Sequence, residues 1–240
     1  MESFKISRNT LETVPTYIDL KCKSGEVIQD NNPLPTSTNA LSHNQQLAFD
    51  IVLQHSQVQG PKEPLQLIIQ GTIGIGKSYL IGTIKNAMSC QAIVDHSPLL
   101  LLTPTGIATF NIHATTIHAG LHIPIKDMKP LHGKSLSVFQ EEMKHIQYIL
   151  IDEMSFIGPK LFMQIEIPLC DCFPETNNHS FKNRSIIRVG DLGQLPPVMG
   201  RPIYARETLG KCLWKDFTSV IILEIILWKM GTDVTQLCFC

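Results

Sequence analysis

Apolar and polar positions along this chain follow two rhythms: short continuous apolar runs, and longer stretches in which apolar residues recur three and four apart. Runs of the first kind are Leu65–Ile69, Pro98–Thr103, Tyr148–Ile151, Ser185–Val189 and Val220–Leu223. Their length and near-uniform apolarity suit strands of a parallel sheet covered on both faces. Between them, Leu47, Ile51 and Val52 share a helical face, as do Leu80, Ile81, Ile84 and Met88. Leu136, Phe139, Met143 and Ile146 mark a third amphipathic helix, and Leu161, Phe162, Ile165 and Leu169 a fourth, after an interruption at Gly158-Pro159. Ser42 stands where the first helix needs an N-cap, and Gly60-Pro61 ends that stretch. A shorter helix is expected over Ile107 to Ile112. Strands alternating with helices predict an α/β fold, a parallel sheet flanked by helices.

The remaining stretches are less patterned. Residues 1–40 contain Asn31-Asn32-Pro33-Leu34-Pro35 and read as a flexible, turn-rich lead-in, residues 41–230 as one lobe, and 231–240 as a short tail. Residues 171–184 are polar and loop-like, with Lys182, Arg184 and Arg188 expected on a solvated face. Trp214 and Phe217, accompanied by Leu213 and Val220, read as core.

Composition narrows the class. With 240 residues, 43% hydrophobic and 17% charged, the chain is globular and long enough for a substantial core. A net charge of −1 lacks the basic excess that draws a protein to nucleic acid at long range, so any such contact must be local. Among seven cysteines, the pairs Cys170/Cys172 and Cys238/Cys240 lack the two-residue gap usual in zinc sites, and the set is expected to be reduced and structural. His113, His118 and His122 cluster without an acidic or cysteine partner at ligand spacing, which argues against a metal there. The N-terminus does not resemble a secretory signal and no apolar window reaches membrane-helix length, so an intracellular, soluble protein with no membrane partner is expected.

Chemistry enters at Gly71-Thr72-Ile73-Gly74-Ile75-Gly76-Lys77-Ser78, where glycine, four residues, glycine, lysine and serine follow a strand and open a helix. That is the spacing and context of a phosphate-binding loop. Gly71, Gly74 and Gly76 let the backbone turn its N–H groups towards a triphosphate, and the helix behind adds its positive end. Lys77 would bridge the outer phosphates and the Ser78 hydroxyl would hold Mg2+. A glycine-rich turn with a solvated lysine is the alternative.

A second anchor is Asp152-Glu153, at the end of an apolar strand. In a parallel sheet that strand ends near the phosphate loop, where Asp152 can reach the metal and Glu153 can polarise an attacking water. A surface acidic pair is the plain alternative. Further on, Gly190-Asp191-Leu192-Gly193-Gln194-Leu195-Pro196-Pro197-Val198 leaves another strand, its prolines stiffening the exit. Gln194 is placed there to sense a γ-phosphate.

The ordered set, from Leu41-Ser42-His43-Asn44-Gln45 through the loop, Thr103-Pro104-Thr105-Gly106, Thr116-Ile117-His118, Ile151-Asp152-Glu153-Met154 and the Gln194 segment, resembles the Pif-type DNA helicases of superfamily one. The resemblance covers about residues 41 to 230, the first of that family's two RecA-like lobes. It implies a P-loop NTPase fold that uses ATP and Mg2+. It also implies movement along single-stranded DNA, 5′ to 3′, with duplex unwinding in repair, recombination or telomere maintenance. Within the cell the nucleus is the expected location, with the mitochondrion second. By the same resemblance Gln45 reads adenine, and Thr105 and His118 contact the single strand.

Several positions depart from the family pattern. Ile73 and Ile75 stand where alanine and threonine are usual, and are expected to place bulk beside the phosphates. Ala114 replaces a glycine and Phe156 a methionine. Trp228 occupies the place of an arginine whose charge would reach the γ-phosphate. No second RecA-like lobe follows in the sequence. A nucleotide- and DNA-binding remnant of a truncated helicase, catalytically silent, is therefore the alternative expectation.

Overall fold

The computed structural model describes residues 38–90, 97–124, 131–174, 180–197, 200–203 and 213–224. Nearly all of the lead-in, the tail and Trp228 lie outside these residues. Helix α1 spans His43–Gln57, strand β1 Gln66–Gly71, α2 Lys77–Cys90, β2 Leu99–Thr103, α3 Gly106–Ile112 and the two-residue β3 Thr115–Thr116. A single turn, α4 (Ile117–Gly120), precedes α5 (Gly133–Met143), β4 (Tyr148–Ile151), α6 (Pro159–Cys172), β5 (Ser185–Gly190) and β6 (Ser219–Leu223).

The six strands form one sheet in the order β3-β2-β4-β5-β1-β6, and every pairing is parallel. Strand alternation divides the core in two. Leu67, Ile69, Leu150, Ile187 and Val189 face one layer with Phe49 and Val52 of α1 and Leu80, Ile81 and Ile84 of α2. Ile68, Ile149, Ile151 and Ile186 face the other with Phe139 of α5 and Phe162, Ile165 and Leu169 of α6. Both faces being covered is why these strands carry apolar residues at consecutive positions.

Two local expectations change. Gly158-Pro159 begins α6 rather than breaking it: Gly158 is the N-cap and Pro159 occupies the first turn, where its missing N–H costs nothing. Arg188 is fully buried in β5, on the α6 side of the sheet, not on a solvated face. Its guanidinium lies 4.5 Å from the Phe162 ring centre and 5.5 Å from that of Phe217, and burial lowers its pKa to about 9. Arg184 is half-buried over Phe173 at 4.0 Å. Phe217 is core, as expected. His122 faces Glu142, with Nε2 and Oε2 3.0 Å apart.

At the amino end of the sheet, His55 ties α1 to β4. Its Nε2 donates to the Glu63 carbonyl at 2.8 Å, which makes Nδ1 the acceptor for the Tyr148 hydroxyl at 2.7 Å; Lys62 donates to the same hydroxyl at 3.0 Å. Burial, ahead of the nearby Lys62 charge, lowers the His55 pKa below its ordinary 6.5, against the opposing Glu63 hydrogen bond. A lowered folded-state pKa means stability that is present above pH 6.5 and lost as the pH falls through the folded value. In thermal melts, the stability advantage of wild type over His55→Leu is therefore expected to shrink from pH 7.5 to pH 5.5.

Candidate nucleotide site

The carboxyl ends of β1, β4 and β5 converge on one edge of the sheet, the place where open α/β sheets bind ligands. The phosphate loop leaves β1 at Gly71 and enters α2 at Lys77. Gly74 and Gly76 have φ of 78° and 82°, left-handed values that favour glycine and that turn the loop back onto the helix N-terminus. Lys77 Nζ donates to the carbonyls of Gly71 and Thr72, each at 2.9 Å, so its ammonium lies folded across the loop. Thr72 and Ser78 are exposed.

The two isoleucines of the loop part company. Ile75 is 2% exposed and packs in the α1–α2 core layer, whereas Ile73 is 64% exposed to solvent. The expected bulk beside the phosphates is thus not contributed by Ile75, which anchors the loop from beneath.

Gln45 is fully buried, and both ends of its amide are engaged within the chain. Its Oε1 accepts from Ser42 N at 2.7 Å, completing a capping box with the Ser42 hydroxyl, and its Nε2 donates to Ile75 O at 2.9 Å and Gly76 O at 3.3 Å. The side chain that resemblance assigns to adenine here braces the phosphate loop.

Asp152 follows β4 and is 7% exposed; its N–H donates to Leu102 O, which continues the strand pairing to the sheet edge. Among the described residues its Oδ1 is buried without a hydrogen-bond partner, as is Glu153 Oε2. Burial raises the Asp152 pKa to about 6, with the Glu153 charge adding to the rise, while the Glu153 backbone N–H and the Lys77 charge pull it down. Two buried carboxylate oxygens left unsatisfied are costly in a fold and suited to a hard cation, so the residues fit Mg2+. Glu153 itself takes a left-handed backbone (φ 54°, ψ 47°), an uncommon conformation for a side-chain-bearing residue, which turns the chain sharply out of the strand.

The raised pKa of Asp152 has a defined sign. Protonation favours the folded state, so stability is greatest below pH 3.8 and is lost as the pH rises through about 6. Asp152→Asn is expected to stabilise the metal-free fold at pH 7 by about 2 kcal/mol. Denaturant melts should show that gain vanishing towards pH 4.

Gly190 ends β5 with φ 151°, and a Cβ there would lie 2.8 Å from Met154 N and 3.0 Å from Met154 Cγ. The exit of β5 therefore rests directly on the backbone after Glu153. Asp191 then shapes a tight turn, with Gly193 N donating to its Oδ1 at 2.9 Å and Gln194 N to its carbonyl at 3.1 Å. Gln194 is half-buried at the end of this turn.

The residues expected on the DNA side lie beyond the ends of β2 and β3, whose register pairs Thr103 with Thr116. Thr105 is exposed and caps α3 through its Oγ1, which accepts from Ala108 N at 3.4 Å; His118 is half-buried on α4. The pair is brought to one edge of the sheet, on strands beyond the carboxylates. Sequence reasoning gave Gly190, Asp191 and Gln70 no role of their own. A glutamine directly after the apolar run Leu67-Ile68-Ile69 was the available signal for Gln70.

A phosphate loop on an inner strand of an all-parallel sheet, with the Asp152–Glu153 carboxylates across one intervening strand, defines a P-loop NTPase lobe of the RecA-like kind. The PIF1-like helicase family model matches residues 40–236, and the chain belongs to that family. Over 162 residues it is 27% identical to the ATP-dependent DNA helicase Pif1 of Campylobacter jejuni, covering 64% of this chain and 33% of the relative. Over 193 residues it is 24% identical to the ATP-dependent DNA helicase PIF1 of Saccharomyces cerevisiae, covering 75% of this chain and 21% of the relative. The chain thus spans between a fifth and a third of these relatives' length. Among solved structures, the Pif1 helicase of Candida albicans superposes with a TM-score of 0.60 at 20% identity, over 80% of this chain and 41% of that one. A Bacteroides Pif1 in complex with ADP-AlF3 and single-stranded DNA superposes with a TM-score of 0.54 at 20% identity, over 78% and 42%. At these identities the superpositions show a shared fold.

Proposed function

We propose that this chain is the first, nucleotide-binding lobe of an ATP-dependent DNA helicase, coupling ATP hydrolysis to movement along single-stranded DNA and duplex unwinding. The observation that carries the reading is the Asp152–Glu153 pair, each with one buried, unpartnered carboxylate oxygen, set across one strand from the phosphate loop. Lys77 leaves the Gly71 and Thr72 carbonyls to hold the outer phosphates. Ser78 and Asp152 hold Mg2+, which when bound neutralises charge on those phosphates. Glu153 takes a proton from the attacking water, and Gln194 senses the terminal phosphate. Gln45 holds the loop in shape, and adenine reading by its amide requires it to exchange one of its present bonds. Thr105 and His118 meet the single strand. The Bacteroides relative solved with ADP-AlF3 and single-stranded DNA supports both ligands by analogy. A DNA substrate makes the nucleus the proposed place of work, with the mitochondrion second.

The test is phosphate release by the purified chain with and without single-stranded DNA. Hydrolysis that rises with DNA is expected, and its absence from folded protein in both conditions overturns the enzymatic reading. A second reading, binding of nucleotide and DNA without turnover, is favoured by Trp228 at the place of the family arginine. It predicts that a fluorescent ATP analogue binds while no phosphate is released.

A further inference from the structure

Gln70 precedes the phosphate loop and has no part in the chemistry above, yet both ends of its side chain are committed. It lies in β1 opposite Gly190 of β5. Its Nε2 donates to Asp191 Oδ1 at 3.1 Å, and its Oε1 accepts from the Leu192 amide at 3.2 Å. One side chain therefore grips both the carboxylate that shapes the Asp191–Gln194 turn and the main chain of that turn. Only a primary amide offers a donor and an acceptor together at this reach. A carboxylate would oppose Asp191, and an aliphatic chain would leave the Leu192 amide and part of the Asp191 carboxylate unmatched. Gln70 is half-buried and could have been satisfied by solvent. Instead its amide joins the root of the phosphate loop, one residue away at Gly71, to the turn that carries Gln194.

We propose that Gln70 is a positioning residue that fixes the spacing between the phosphate loop and the Gln194 turn, so that a terminal phosphate held by the loop is presented to the sensor. The proposal rests on the nucleotide-binding reading above and adds to it how the γ-phosphate is told from its absence. Gln70 itself touches no nucleotide; it acts through the turn.

The experiment titrates the full chain, with Mg2+, against fluorescent ADP and a fluorescent non-hydrolysable ATP analogue, and takes the ratio of the two affinities. Gln70→Leu removes both bonds at similar volume. Gln70→Glu keeps the acceptor for Leu192 but sets a second carboxylate against Asp191. In both, ADP affinity should move by less than about twofold while preference for the ATP analogue falls about tenfold, the worth of two ordinary hydrogen bonds. Amide hydrogen exchange at Leu192 and Gly193 should quicken in Gln70→Leu. An unchanged affinity ratio in folded Gln70→Glu overturns the positioning role and leaves the nucleotide reading intact. Failure of wild type to bind either nucleotide overturns both. Should Gln70→Leu fail to fold, the Glu variant decides the matter.

Discussion

Lys77→Ala should weaken binding of an ATP analogue by about a hundredfold while leaving the melting temperature of the metal-free protein within a few degrees of wild type. The two halves of that expectation have separate origins. Lys77 belongs to neither core layer, and its ammonium serves the carbonyls of Gly71 and Thr72. Those carbonyls are within reach of water once the lysine is gone, so the fold loses little. On the proposed reading a bound triphosphate would, by contrast, lose a charge-assisted donor at its outer phosphates, and each hydrogen bond to a charged group is worth about 1.5–3 kcal/mol. Fluorescence titration with parallel thermal melts measures both. Retained affinity would remove the lysine from the phosphate site, and a collapse in melting temperature would make it structural.

Gly190→Ala should do the reverse and damage the fold itself, by about 3 kcal/mol or more in denaturant melts. The added methyl would meet Met154 N at 2.8 Å, a backbone atom that cannot rotate aside, on a backbone whose φ of 151° already disfavours a side chain. Relief requires β5 to part from the chain after Glu153, which moves the Glu153 carboxylate and the Gln194 turn at once. A folded Gly190→Ala protein with wild-type stability would show that the strands are less tightly seated than their contact implies.

How much of this was legible in the sequence follows from what kind of signal each feature leaves. The strands were readable because β4 and β5 are buried on both faces, which writes near-continuous apolar runs. The helix start at Ser42 was readable because capping is local. Arg188 was misplaced because a charged residue usually marks a solvated face; its aromatic partners Phe162 and Phe217 come from α6 and from the segment before β6, remote in sequence. The burial of Ile75 and the exposure of Ile73 could not be read either. Both are isoleucines two positions apart in the same loop, and only the turn at Gly74 decides which goes inward. Gln45 was recognised, but its bonds to Ile75 and Gly76 cross 30 and 31 positions of sequence and leave no local trace.

That same glutamine makes the opening of α1 and the shape of the phosphate loop a single cooperative event. Its backbone and Oε1 close the capping box with Ser42, while its Nε2 secures Ile75 and Gly76. Fraying of the first helical turn would withdraw the loop's brace in the same motion. Native-state hydrogen exchange should therefore report one opening free energy for the amides of that turn and of the loop, a foldon assembled from segments with a whole strand between them.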